Sequence, residues 1–207
     1  MKTAIEPLPA RIGTGATSML LFALELLKNP LDMGAVCPSS ETLAQHMASQ
    51  LPLDGPGRVV ELGAGTGAIT RALLRHGVPP RQLVAVERSA VLAKQLRQSF
   101  PHITVAEGDA AHLARLLGSR RSQVRAVVSG LPLRSLPRPT VAMIMASVDD
   151  ALTPGGTFIQ FTYALHAPVE EVPEHFAKLA STIVWRNFPP ARVDVFRKQI
   201  CAESSSW

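Results

Sequence analysis

The run Val59-Val60-Glu61-Leu62-Gly63-Ala64-Gly65-Thr66-Gly67 constrains this chain more than any other. Two β-branched residues lead into an acid, and glycines follow at every second position. Ala68 to His76 then has helical character. A strand that ends in Gly-x-Gly-x-Gly and turns straight into a helix brings bare backbone close to a ligand. Glycine suits such a turn because it lacks a Cβ and tolerates positive φ. The free N–H groups at the helix start then face whatever polar group binds. A phosphate loop would need a Lys after the last glycine, and none follows Gly67. A dinucleotide fingerprint would space its third glycine one position later.

The segments downstream repeat the pattern of an apolar strand ending in a polar group. Leu83-Val84-Ala85-Val86-Glu87 ends in a carboxylate about 20 residues past the last glycine, the spacing of an acid that accepts from a ribose hydroxyl pair. Ile103 to Ala106 runs into Glu107-Gly108-Asp109-Ala110, and Val124 to Val128 runs into Ser129-Gly130-Leu131-Pro132-Leu133. Helical patterns lie between them at Ala90–Ser99, Ala110–Leu117 and Thr140–Leu152, with a further helix predicted over Val172–Ser181. Pro154-Gly155-Gly156 is a turn that launches a fifth strand, Thr157 to Tyr163. Ser181–Asn187 and Arg192–Lys198 flank Phe188-Pro189-Pro190-Ala191 and read as two closing strands. Strands that alternate with helices predict a doubly wound, mostly parallel sheet.

With Glu61 ahead of the glycines and four strand-end signals in order, the chain resembles the class I S-adenosylmethionine (SAM) methyltransferases. The resemblance covers roughly Pro38 to Ile200. It implies an α/β, Rossmann-like, seven-stranded sheet, mostly parallel with an antiparallel last strand. It also implies SAM as cofactor. Glu61 would hold the cofactor's amino acid end, with Gly63, Ala64, Gly65 and Gly67 close to its methionine and ribose. Glu87 with Arg88 would meet the ribose, and Asp109 with Ala110 the adenine. Ser129 and Leu131 belong to the segment where acceptor meets cofactor.

Three further segments, Asn29–Ser40, Gln160–Pro168 and Val184–Val193, look like the bacterial phospholipid N-methyltransferases, which convert phosphatidylethanolamine stepwise to phosphatidylcholine. Close relatives of those enzymes methylate ornithine lipids. This resemblance implies that Tyr163 and His166 lie at the lipid head group as catalytic residues, with Arg192 and Arg186 as candidates for its phosphate. Arg134 and Arg138 are weaker candidates. The wider resemblance is to rRNA adenine dimethyltransferases, whose Asn-Leu-Pro-Tyr type segment is replaced by Ser129-Gly130-Leu131-Pro132-Leu133. Leu133 cannot stack on a base as an aromatic does. Aromatics are 5% of the chain, too few for a platform that stacks single strands. Both points argue for an aliphatic amine and against nucleic acid. A non-catalytic SAM- or lipid-binding protein and a small-amine methyltransferase remain rival readings.

Bulk properties set the remaining bounds. The 207 residues suit one domain, with a Rossmann-like core over 58–200 and a helical extension over 1–50. A formal charge of +5 favours an anionic partner, such as an acidic membrane surface. A mean hydropathy of +0.16 fits contact with lipid. Thr17–Lys28 is strongly apolar, and is expected either to lie on a membrane or to pack on the domain. Ser40–Gln50 reads as a second helix. Met1–Arg11 lacks the apolar centre of a leader, and no run of apolar residues is long enough to span a bilayer. Cys37 and Cys201 suit reduced thiols. The expected location is therefore cytoplasmic, peripheral to the inner face of the cell membrane. No metal is expected, because His46, His76, His102, His112 and His175 cluster with neither acids nor cysteines at ligand spacing. Asp149-Asp150 is assigned to a solvent-facing helix surface.

Overall fold

The short β-branched runs from Arg58 onward become strands, buried at the centre of the sheet, and the amphipathic runs between them become helices. The computed structural model of the protein describes residues 38–118, 123–166 and 172–200. The Thr17–Lys28 helix, most of the Asn29–Ser40 segment, Ala167, Pro168 and both cysteines lie outside the described residues.

The chain enters with helix α1 (Pro38–Ser49). The core then runs β1 (Arg58–Leu62), α2 (Ala68–His76), β2 (Leu83–Glu87), α3 (Ala90–Ser99) and β3 (Thr104–Glu107). After a 3-10 turn come α4 (Leu113–Leu117), β4 (Val124–Ser129), α5 (Arg138–Ala151) and β5 (Leu152–Thr162). A hairpin closes the fold, β6 (Phe176–Val184) and β7 (Ala191–Lys198). The strand order is β3-β2-β1-β4-β5-β7-β6. β1 to β5 pair in parallel, and β7 runs antiparallel to both β5 and β6. This is the expected mixed sheet with an antiparallel last strand.

Side chains from alternate strand positions feed two cores. One face carries Val60, Leu62, Val127 and Phe158 against α4 and α5. The other carries Val59, Val128, Ile159 and Phe161 against α1 and α2. A strand buried on both faces reads as a continuous apolar run, which is why β1, β2 and β4 were legible.

One element differs in kind from the expectation. Val172–Ser181 does not form a helix, since Phe176–Val184 is strand β6. β6 lies at the sheet edge, and its pairing with β7 shifts register between Lys178 and Ala180. The bulge breaks the two-residue alternation, so Ala177-Lys178-Leu179-Ala180 imitates a helical pattern. A smaller difference concerns Ala110–Leu117, where a 3-10 turn over Ala110–His112 precedes the α-helix. Among the described residues no helix is long and apolar enough to cross a membrane.

Candidate active site

In a parallel sheet the ligand side is the edge formed by the carboxyl ends of the strands. At the end of β1 the turn hooks over β2, with the N–H groups of Gly63 and Ala64 donating to the Val86 carbonyl at 2.9 and 3.2 Å. Gly63, Gly65 and Gly67 all have positive φ. Their surroundings divide them. A Cβ on Gly63 would lie 2.5 Å from Leu131 Cδ2, and one on Gly67 would lie 2.5 Å from the Phe100 ring. Those two glycines serve packing inside the protein. A Cβ on Gly65 would meet only the Gly63 carbonyl, at 4.0 Å. Gly65 is therefore the position where bare backbone faces open space.

That space is an open cleft at the carboxyl ends of β1, β2 and β3. Gly63, Gly65, Glu87, Arg88, Asp109 and Ala110 line it. Leu131, Leu136 and Ile144 form an apolar wall. The Glu87 carboxylate accepts from the N–H of Gly65 at 2.9 Å and of Ser89 at 2.8 Å, so it fixes the two loops it stands between. Asp109 accepts from the Ala111 N–H at 2.9 Å through Oδ1. Its Oδ2 lies 3.9 Å from the Arg88 guanidinium, an exposed pair of little energetic weight.

Three residues assigned to this site lie below its surface. Glu61 is fully buried and accepts from Thr70, from the N–H at 3.1 Å and from the hydroxyl at 2.5 Å. Burial pushes its carboxyl to about 8, against an ordinary 4.5; the Thr70 bonds oppose this and the neighbouring Glu87 charge adds to it. Glu61 thus pins the start of α2 and does not line the cleft. Ser129 is buried at the end of β4, its hydroxyl accepting from the Leu131 N–H at 3.4 Å. Ala64 packs with Ala85 and Leu96.

A second, small cavity lies beside the first at the ends of β5 and β7. Leu133, Arg134, Gln160, Thr162, Arg192 and Asp194 line it. Gln160 and Asp194 are register partners across β5 and β7. Arg192, 7% exposed, donates through Nε to Asp194 Oδ2 at 2.9 Å and through Nη1 to the Leu165 carbonyl at 2.8 Å. The other Asp194 oxygen accepts from Ser181 at 2.6 Å and pairs with Lys178 at 2.7 Å. Burial alone would raise the Asp194 carboxyl. The Lys178 and Ser181 hydrogen bonds and the Arg192 and Lys178 charges outweigh it and hold the carboxyl below its ordinary value.

Gln160 joins the two cavities. Its Nε2 donates to the Leu131 carbonyl at 2.9 Å and to the Phe161 carbonyl at 2.6 Å. The backbone of the acceptor segment is thus tied to β5. Sequence reasoning passed over Gln160 and Asp194 as site residues. The available signal was a set of polar residues at alternate positions in otherwise apolar strands, Gln160 and Thr162 on β5 and Arg192 and Asp194 on β7.

The remaining candidates line neither cavity. Tyr163 packs edge-on to Phe161, ring centroids 5.4 Å apart, in the cluster beneath α1 and α2. That is the face of β5 opposite Gln160. His166 is exposed on the loop that follows, and Arg186 is exposed in the turn between β6 and β7. Among the described residues no group of His, Cys, Asp or Glu could hold a metal ion.

A glycine-rich first strand end, acids at the next two and this strand order define a class I SAM-dependent methyltransferase. The family described as "Methyltransferase domain" matches residues 59–156. The chain is 32% identical over 175 residues to an ornithine lipid N-methyltransferase of Singulisphaera acidiphila, covering 83% of this chain and 91% of that one. It is 33% identical over 89 residues to a trans-aconitate 2-methyltransferase of Rhodopseudomonas palustris, 43% of this chain and 34% of that one. Among solved structures, TrmN from Thermus thermophilus superposes with a TM-score of 0.65 at 19% identity, over 78% of this chain and 52% of that one. A TehB-like SAM-dependent methyltransferase from Corynebacterium glutamicum gives 0.59 at 16%, over 88% and 99%. The chain spans about half the length of the Thermus protein, and both structural likenesses speak for the fold alone.

This chain belongs to the class I SAM-dependent methyltransferases, and its cofactor is SAM. The cleft fits that molecule: carboxylates at Glu87 and Asp109 suit hydroxyl and amine donors, and the Leu131–Ile144 wall suits a ring. When bound, SAM supplies a methyl group on a sulfonium sulfur.

Proposed function

We propose that this protein N-methylates the free amine of a zwitterionic aminolipid at a membrane surface. The observation that carries the proposal is the likeness, over nearly the whole of both chains, to an ornithine lipid N-methyltransferase. That likeness favours ornithine lipid as the head group, and the segment resemblances of the sequence favour phosphatidylethanolamine. Both head groups pair an amine with an anion, and the lining of the second cavity offers side chains of matching chemistry. Its Arg192–Asp194–Lys178 group carries a net positive charge for the anion, and Gln160 lies beside it.

Chemistry at an amine is chiefly a matter of position. A protonated amine has no lone pair, so the site must hold the neutral form in line with the methyl group. Tyr163 and His166, at the ligand end of β5, are proposed to meet the head group once lipid is bound, where His166 is suited to take the proton.

The rim supports docking on an anionic phospholipid surface. Register places Thr162 opposite Arg192 and Val184 opposite Ala191, so the turn between β6 and β7 lies at the ligand end of the sheet. That turn exposes Trp185 (68%) and Phe188 (74%) beside Arg186. Aromatic rings with a neighbouring cation suit the head-group layer of an acidic membrane.

The test uses methyl-labelled SAM with vesicles that carry phosphatidylglycerol plus either ornithine lipid or phosphatidylethanolamine. Label in the methylated derivatives of one lipid supports the proposal and identifies the head group. Intact SAM binding with no label in either lipid would overturn it.

A further inference from the structure

Gln160 is buried, 7% exposed, and both protons of its amide are used. The two groups facing Nε2, the Leu131 and Phe161 carbonyls, can only accept. The amide orientation is therefore dictated by its surroundings and cannot be reversed without setting oxygen against oxygen. What remains is Oε1, which is buried and has no hydrogen-bond partner. A buried acceptor of this kind costs stability unless something donates to it. Gln160 lines the cavity beside the cofactor cleft, and its amide is fixed to the acceptor segment whose Leu131 walls that cleft. Asp194, its register partner, cannot take this role, because both its oxygens already hold Arg192, Lys178 and Ser181.

We infer that Gln160 Oε1 accepts an N–H of the acceptor amine and so orients its lone pair for methyl transfer. The inference rests on the proposal that an amine is the acceptor. A neutral primary amine has two N–H groups and one lone pair. With one N–H held by Oε1, the lone pair can turn towards the methyl carbon. The new N–C bond forms as the C–S bond breaks, the sulfur keeps that electron pair, and the amine nitrogen then loses one proton, for which the exposed His166 is the proposed acceptor. The same holds for a secondary amine. A tertiary amine in its neutral form has no N–H, so Gln160 cannot orient it. Gln160 is thus a specificity-determining residue that favours the first two transfers over a third.

The experiment compares the whole protein with Gln160→Met and Gln160→Glu. The acceptors are the primary amine, N-methyl and N,N-dimethyl forms of whichever lipid the wild type methylates. We expect Gln160→Met to lose about tenfold in kcat/KM on the first two acceptors, the scale of one oriented hydrogen bond, with SAM affinity retained. On the dimethyl lipid it should match the wild type. Gln160→Glu, which keeps an acceptor oxygen in place of Oε1, should recover part of the loss on the first two. Equal loss on all three acceptors would mark a structural role and overturn the inference, as would wild-type rates throughout. If Gln160→Met does not fold, Gln160→Glu decides by the same contrast between acceptors. Where the wild type makes no trimethyl product, the contrast is read on binding of the dimethyl and monomethyl lipids. A wild type that methylates neither lipid would instead strike the aminolipid proposal itself.

Discussion

The cofactor cleft and the second cavity lie side by side on one sheet edge, yet they are built in opposite ways. The cleft is made of strand-end backbone: Gly63 and Gly65, two carboxylates that clamp neighbouring N–H groups, and an apolar wall. Each piece is local in sequence and follows its strand directly. The second cavity is made of side chains that meet only across strands, such as Gln160 with Asp194 and Asp194 with Lys178. The first design tolerates change around it and serves one cofactor. The second can be re-specified by a few substitutions, which is how one fold comes to serve many acceptors.

The contrast explains what could be read without coordinates. Glu87 and Asp109 are marked by their positions after apolar runs, and the structure puts both on the cleft. Glu61 carries the same mark but supports α2 from below, because the first residue past the end of β1 that reaches the surface is Gly63. The Gln160–Asp194 neighbourhood depends on the pairing of β5 with β7. The two closing strands are legible at Ser181–Asn187 and Arg192–Lys198, but not that β7 lies between β5 and β6 or how its residues register on β5. Tyr163 comes from the family resemblance, and its place at the end of β5 specifies the end of the sheet but not the face its ring packs on.

The sharpest break between the two regions would come from Gly65→Val. A β-branched side chain is strained at φ +55° and would project into the cleft. SAM affinity, measured by calorimetry, should fall at least a hundredfold. The strain should lower the melting temperature of the SAM-free protein by several degrees, while the second cavity is untouched. Retained SAM affinity would mean that bare backbone at Gly65 is not what the cofactor meets.

Arg192→Met is the converse. It removes one partner of a buried pair and leaves the Asp194 charge to Lys178 and Ser181 alone. Unfolding in urea should show a loss of about 3 kcal/mol. At temperatures where the variant stays folded, kcat/KM for lipid should fall about tenfold while SAM affinity holds. A loss of SAM affinity of similar size would show that the two cavities are not independent.

A smaller effect is expected at the rim. Trp185→Ala with Phe188→Ala should weaken binding to phosphatidylglycerol vesicles about tenfold in sedimentation, the scale of two exposed rings leaving a lipid surface. SAM affinity and stability should not move, because both side chains are already in solvent. Unchanged vesicle binding would remove the β6–β7 turn from the docking surface.

A pH-dependent effect tests whether Glu61 belongs to the cleft or to its foundation. Its folded carboxyl titrates at about 8 and its ordinary value is 4.5. Between those values the folded protein keeps a proton that the unfolded chain has released. Stability therefore falls as pH rises through that window and is fully reduced above pH 8. Glu61→Gln cannot ionise, and it keeps an oxygen to accept from the Thr70 N–H and an amide to face the hydroxyl. In thermal melts of the SAM-free protein from pH 5 to pH 9, the wild type should lose about 10 °C more than Glu61→Gln. Groups common to both chains cancel in that difference. SAM affinity should stay within about threefold, since no atom of Glu61 lines the cleft and the retained Thr70 contacts hold the start of α2. Parallel melting curves would mean that Glu61 is ionised when folded. A large loss of SAM affinity would move Glu61 from the foundation to the cleft wall, and with it the boundary between the part of this site that serves the cofactor and the part that only supports it.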